Sequence, residues 1–440
     1  MLYQDFLANR LSTLMQRHNP QSLNIQLTDQ TDPDPTLDSL DLPHDLDPAS
    51  VEDSWLPFQE KISKIPSAEL ESLVAGKYRQ AGTICYSSSE YVASEHGKAN
   101  AHVGLFEIYA VPSTLQPPCW WPSTSQTSAK RPLAGLKVVD LTRVIAAPAT
   151  TRGLAELGAS VMRVTSPHLA DLSILHVDLN WGKWNTHLDL KDATDRQKLR
   201  ELVLDADVVV QGYRPGVLDK YGFGQDGIVE LCKGRSRGVI SARENCYGWH
   251  GPWQGRSGWQ QTSDACVGIS EAYGRAMGLP AGEPVTPVFP NSDYMTGVAG
   301  VVAILCALMR RAQEGGSWKV DFAINYYNQW LARSCGTYPE AVWTELWARN
   351  GRPVFRAEHS MGYTVPRVLQ TVAATRKDVV LKPDFFEDRK SGALGVDVRT
   401  VKPILSFPGG AVELGYTVGT RGNGVDQPRW PDDLMTEVVR

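Results

Sequence analysis

Between Leu136 and Ile324 the chain alternates short Val-rich runs with helical stretches, and this alternation constrains the fold more than any other feature. Leu136–Leu141 reads as a strand. A helix is expected over 147–157, with Gly158 just past it, where a residue without Cβ suits the left-handed turn that ends a helix. Ser160–Val164 is the next strand, 193–204 a helix, and Ala206–Val210 a near-continuous buried strand. Arg237–Ala242 is a further strand, 293–312 a long apolar helix, and Trp318–Ile324 alternates in the manner of a strand. Strands joined through helices return to the same end of a sheet, so the expected product is an α/β domain with a mostly parallel sheet flanked by helices. Its bounds are placed at 132–330.

The segments outside it are less regular. Residues 1–28 carry Arg10, Arg17 and few acids, and read as an N-terminal surface helix, with an amphipathic targeting helix as the alternative. Residues 29–53 are rich in Asp and Pro and read as an acidic, solvated linker. Within the mixed segment 54–112, Ser67–Tyr78 has helical spacing, with Leu70, Leu73 and Val74 on one face. A Ser/Thr/Pro-rich linker is expected over 113–131, and short helices with Pro-rich turns over the C-terminal region 331–440.

Composition limits the partners. A net charge of −5 gives no broad positive field, so nucleic acid is not an expected partner. The longest apolar stretch, Val298–Met309, ends in Arg310-Arg311 and is short for a membrane span. The seven cysteines are scattered without a CxxC pair, so no metal site or redox motif is indicated. Reduced thiols fit an intracellular protein, cytoplasmic by expectation, with a mitochondrial location as the alternative.

The ordered motifs carry the chemistry. Asp140-Leu141-Thr142-Arg143-Val144-Ile145-Ala146-Ala147-Pro148 is a strand end, small residues, and a Pro where a helix should begin. Such a turn lets a ligand approach the backbone, and a helix N-terminus favours phosphate. Gly158–Val164, Asn180-Trp181-Gly182-Lys183 and Leu188-Asp189-Leu190-Lys191 follow. Then come Ala206–Gly222, which contains Gln211-Gly212-Tyr213-Arg214-Pro215-Gly216, and Pro287–Gly297, which contains Asn291-Ser292-Asp293. Gly315-Gly316-Ser317-Trp318-Lys319-Val320-Asp321 closes the series. This series resembles the class III CoA-transferases, the family of carnitine CoA-transferase, formyl-CoA:oxalate CoA-transferase and the α-methylacyl-CoA racemases.

The resemblance implies a Rossmann-like sheet with a smaller α+β domain, and Asp293 as nucleophile. A carboxylate at a helix N-terminus is held charged by the helix dipole and can attack a thioester carbonyl, giving a mixed anhydride and CoA thiolate. The alternative role for Asp293 is that of a helix N-cap. The resemblance places a backbone cradle for coenzyme A on Val144, Ile145 and Ala146, phosphate contacts on Lys183 and Lys220, and an aromatic wall on Tyr213. It implies no tightly bound cofactor, a coenzyme A thioester as substrate, a small carboxylic acid as acceptor, and a homodimer of interlocked chains. Some positions depart from the family pattern: Gly212 stands where Asn is usual, Ala147 where Gly is frequent, Ser166 where Arg is frequent, and Gln260 where some transferases carry an acid. The racemases have a His base followed by an acid where this chain has Trp259 and Gln260, neither of which exchanges protons near neutral pH. Racemase activity is thus disfavoured. A catalytically impaired scaffold is the other alternative, since Gly212 removes a polar contact. The family's small domain normally follows the nucleophile helix, whereas Gly82–Ala99 matches it loosely ahead of that helix.

Overall fold

The computed structural model describes residues 25–28, 34–46, 48–50, 53–169 and 171–439. The expected N-terminal helix lies outside them, except that Ile25–Thr28 is a strand. Residues 105–244, 293–322 and 382–440 form one compact unit, and the described residues before Leu105 together with 245–292 and 323–381 form another. The chain thus passes between units several times, and the boundaries near 112, 132 and 330 suggested by composition are not where it divides.

The unit of residues 105–244 holds a seven-stranded sheet. Its strands are β1 (Phe106–Val111), β2 (Lys137–Leu141), β3 (Ser160–Thr165), β4 (Lys183–His187), β5 (Val208–Gln211), β6 (Ile240–Asn245) and β7 (Ser317–Ala323), in the spatial order β1-β7-β6-β5-β2-β3-β4. β2 pairs in parallel with both β3 and β5, as β3 does with β4 and β5 with β6. β1 joins β7 antiparallel, Phe106 opposite Phe322. The segment assigned by sequence to a small domain therefore supplies an edge strand. Its side chains are only partly buried, so its apolar signal is weak.

Both faces of the sheet are covered, which is why its strands read as unbroken apolar runs. On one face Val138, Val161, Val208 and Val320 pack against Leu154 of helix α1 (Ala146–Glu156) and Ala303, Ala307 and Leu308 of the long helix, Asn291–Glu314. On the other, Val139, Met162 and Val209 meet Leu199 and Leu202 of α2 (Ala193–Asp205) and Ile228 of α3 (Gln225–Cys232). The long helix, α4, is apolar and long enough to cross a membrane, yet half of its most apolar window is buried. Arg311 near its end lies buried within 3.1 Å of Asp207, an arrangement of a core helix.

The C-terminal residues, illegible in sequence, protect the β4 edge. Gly182 N donates to Val418 O at 2.8 Å, and Asp426 N to Asn185 O at 2.8 Å. Unpaired edges invite pairing with other chains, and this strap removes that opportunity.

In the other unit, Ile25–Thr28 pairs antiparallel with Ala81–Ile84. The expected acidic linker contains a helix, Asp34–Ser39, and Leu37, Leu40 and Leu42 pack with Trp55, Phe58, Ile62 and Leu70. The linker reading is corrected: Leu37 in the helix and Leu40 and Leu42 just after it are buried together, while the acids around them stay exposed. A buried polar cluster lies nearby in sequence to the motif region. Asp264 accepts from Gln260 Nε2 (3.0 Å), Ser292 Oγ (2.9 Å) and Asn328 Nδ2 (2.8 Å), and burial pushes its carboxyl up to about 6. Gln260 is thus a structural donor, and the cluster holds Ser292, the residue before Asp293 in the chain.

Candidate active site

In an open parallel sheet, ligands bind beyond the carboxyl ends of the strands, at the point where the strand order reverses. Here β2 leads through α1 to β3 on one side, and the chain later returns to β5 on the other. The reversal lies between β2 and β5, so the crevice is framed by the residues after Leu141 and after Gln211.

The turn after β2 is strained. Val144 has φ +69°, a left-handed conformation rare for a β-branched residue and costing on the order of 1–3 kcal/mol. The expected cradle residues Val144, Ile145 and Ala146 form this turn and the start of α1. Pro148 lies two residues inside the helix, still in the turn where N–H groups have no helical partner. No side chain caps this helix at Ile145.

Lys183 is not at the surface of this crevice. It is fully buried, and its Nζ donates to Asp140 Oδ2 (2.9 Å), Pro148 O (2.9 Å) and Thr151 Oγ1 (2.7 Å). All three ammonium hydrogens are thereby used, leaving none for a phosphate. Thr142 and Thr151 also donate to Asp140. The lysine expected to meet phosphates ties β4 to β2 and to the first turn of α1.

Asp293 lies half-buried in the first turn of α4, two residues inside Asn291. This position differs from that of a helix cap, and the dipole there favours a carboxylate. Close contact between α4 and α1 brings Asp293 to the crevice. A Cβ on Gly297 would lie 2.6 Å from Ala149 Cβ and 3.0 Å from Ala146 O, and Thr150 Oγ1 donates to Gly297 O at 3.1 Å. Only a residue without a side chain admits this approach, and it sets the two helix starts side by side.

Glu244, near the end of β6, was not singled out by its sequence context. Its side chain is 9% exposed, and its Oε2 lies 3.5 Å from the place a Cβ on Gly212 would occupy. Burial and the charge of Asp293 push its carboxyl up to about 8. Two carboxyls that feel each other's charge in a poorly solvated place cannot both be charged cheaply, which favours the protonated form of Glu244.

Gly212 and Ala147, two departures from the family pattern, explain each other. A Cβ at 212 would lie 2.9 Å from Ala147 Cβ and 3.4 Å from Thr142 Cβ. The Ala147 methyl group fills the space that a side chain at 212 would need. Gly212→Asn is expected to cost about 1–3 kcal/mol by overpacking, and Ala147→Gly in the same chain to recover most of it. Thermal melts of the two single variants and the double variant measure the coupling; additive effects would contradict it.

A pocket of about 270 Å³ opens beyond the ends of β2, β3 and β5. Leu141, Val164, Leu188 and Leu190 give it apolar walls, and Ser166, Lys191, Tyr213 and Lys220 also line it. Tyr213 and Lys220, two of the residues the resemblance assigns to coenzyme A, line the same pocket. Lys191, part of a quoted motif, adds a basic group that had been given no role.

Residues 133–359 match the family model described as CoA-transferase family III. An acetyl-coenzyme A transferase, nodX, of Hypoxylon pulicicidum is 55% identical over 93% of this chain and 69% of its own length. An acyl-CoA transferase of Gibberella moniliformis is 38% identical over 79% of this chain and 61% of its own. The succinyl-CoA–L-malate CoA-transferase beta subunit of Chloroflexus aurantiacus is 34% identical over 45% of this chain and 50% of its own. The chain therefore spans between half and about two thirds of the length of these relatives.

Proposed function

The chain belongs to CoA-transferase family III, and on that premise we propose that it moves coenzyme A from an acyl-CoA, with acetyl-CoA as first donor, to a carboxylic acid through Asp293. The observation that carries this reading is the placement of Asp293. It is a half-buried carboxylate in the first turn of α4, beside the strained β2–α1 turn at the sheet's reversal point. The Asp293 oxygen attacks the thioester carbonyl, the C–S bond breaks, and CoA leaves as thiolate. The mixed anhydride left on the enzyme is activated for return of the thiolate at the Asp293 carbonyl, which releases the donor acid and leaves a thioester on Asp293. An acceptor carboxylate then enters by the reverse sequence. The pocket lined by Tyr213, Lys191 and Lys220 has apolar walls and two lysines, with Asp189 and His168 also at its lining, and it is the site proposed for the nucleotide-like end of coenzyme A.

The test is intact-protein mass spectrometry after mixing with acetyl-, succinyl- and longer-chain acyl-CoAs. An acyl or CoA adduct mapped to Asp293 is expected, and an adduct on another residue, or none with any donor, counts against the reading. A scaffold without turnover would have followed from Gly212 and Gln260. The fit of Gly212 against Ala147 and the hydrogen bond from Gln260 to Asp264 give these two departures a packing reason, and the displaced small domain is the other ground for that alternative.

The homodimer belongs to the same proposal. Met295, Val298, Val302 and Met309 form an exposed apolar stripe at helical spacing on α4. A second copy covering this stripe gives a dimer by light scattering at micromolar concentration. A monomer there contradicts it.

A further inference from the structure

We infer that Glu244 is a second catalytic carboxyl of this centre, an O–H donor to the acyl oxygen on which charge develops when Asp293 attacks. The inference rests on the reading of Asp293 as nucleophile. Three observations carry it. Glu244 stands at the carboxyl end of β6, and its Oε2 reaches the space beside Gly212, at the point where the strand order reverses. It is more than nine-tenths buried, yet among the described residues no hydrogen bond reaches its carboxyl. A mostly buried carboxyl with no protein partner, open only at a crevice, is free to meet a ligand there. Finally, the one charge acting on it is that of Asp293.

Of the other charges near this end of the sheet, Arg143 after β2 and Arg214 after β5 have contacts of their own, and two further pairs are engaged elsewhere. Arg243, its neighbour on β6, forms a two-point pair with Asp321 at 2.7 and 2.8 Å. Asp140 on β2 and Lys183 on β4 are paired with each other at 2.9 Å. Neither cation is available to make Glu244 a carboxylate, so it stays a neutral acid beside a charged one.

The chemistry balances without a net proton transfer. A lone pair of Asp293 forms the new C–O bond, and the carbonyl π pair moves onto the acyl oxygen, which accepts a hydrogen bond from Glu244 O–H. When that pair returns, the C–S bond breaks and its electrons leave on sulfur as CoA thiolate. Glu244 keeps its proton throughout. A donor placed where charge develops contributes on the order of 10²–10³ in rate. Ionised Glu244 would instead repel both Asp293 and the oxyanion.

The experiment follows exchange of coenzyme A between acetyl-CoA and isotopically labelled acetate, as a function of pH. Wild-type kcat/KM is expected to fall as pH rises through about 8, where Glu244 loses its proton. Glu244→Gln, whose amide still donates, is expected to stay within roughly ten-fold of wild type and to lose this alkaline fall. Glu244→Leu is expected to lower kcat by roughly 10²–10³ with little change in KM. A Glu244→Leu enzyme as fast as wild type overturns the inference, as does a Glu244→Gln enzyme that keeps the alkaline fall, which would then belong to Lys183. Glu244→Gln is nearly isosteric, so its profile decides the matter even where the Leu variant fails to fold. Asp293→Asn run in parallel separates the two readings. If Asp293→Asn exchanges normally, the nucleophile assignment has failed; if it is inactive while Glu244→Leu is fast, only the role of Glu244 has.

Discussion

Asp293→Asn is expected to lower CoA transfer by roughly 10⁴-fold or more while the fold remains intact, because an amide cannot supply the oxygen nucleophile from which the anhydride forms. The expected loss of stability is small. Asp293 lies inside the first turn of α4, so exchanging it for Asn forfeits a carboxylate–dipole interaction of about 0.3–1 kcal/mol. Asp293→Ala should be equally inactive. The pair of variants therefore separates chemistry from helix capping: a capping role predicts an active Asn variant and an Ala variant that is merely less stable. Intact mass before each assay guards against deamidation of the Asn variant. Near-normal exchange by a verified Asn protein would remove Asp293 from the mechanism. A secondary effect is also expected. The charge of Asp293 helps hold the Glu244 proton, so Asp293→Asn should lower the pH at which Glu244 ionises.

The second large effect concerns Lys183. Its ammonium and the Asp140 carboxylate are both fully buried and 2.9 Å apart. Lys183→Met leaves Asp140 charged in the core with only the two threonine hydroxyls as donors. Removing one member of a buried pair costs about 3–5 kcal/mol. A melting temperature lowered by many degrees is expected, with activity lost through unfolding. The double variant Lys183→Met with Asp140→Leu should be more stable than Lys183→Met alone, because no uncompensated charge remains. The contrary reading, in which Lys183 grips a coenzyme A phosphate, predicts weaker substrate binding with an unchanged melting temperature. Denaturant unfolding and CoA titration of the single variant distinguish the two.

The family motif located Lys183 but not its direction. In the motif Asn180-Trp181-Gly182-Lys183 a basic residue reads as a phosphate contact or as a solvated surface charge, and the strand that begins at Lys183 appears only in the structure. Strand parity decides: β4 pairs with β3, and its alternate residues face opposite sides of the sheet. Lys183 then points toward Asp140 and the α1 turn. Glu244 shows the converse. A single Glu in an Arg-Glu-Asn run carries no signal of its own, and its importance comes from Asp293, distant in sequence and brought close by the packing of α4 on α1.

The local and periodic part of this protein is legible in its residue order. Val-rich runs separated by helices required a parallel sheet, since strands buried on both faces leave no other way to hide their side chains. The first-turn position of Asp293 followed from the apolar helix that it opens, to within two residues. Tertiary structure alone decided the rest. The strand order put the crevice between β2 and β5. Glycine contacts such as Gly297 against Ala149 set the two helix starts side by side. The C-terminal strap found the β4 edge, and Leu37, Leu40 and Leu42 turned an acidic stretch into a packed element. These outcomes depend on which surfaces meet across long sequence separations. Burial and pairing there are set by partners that no local pattern of residues encodes.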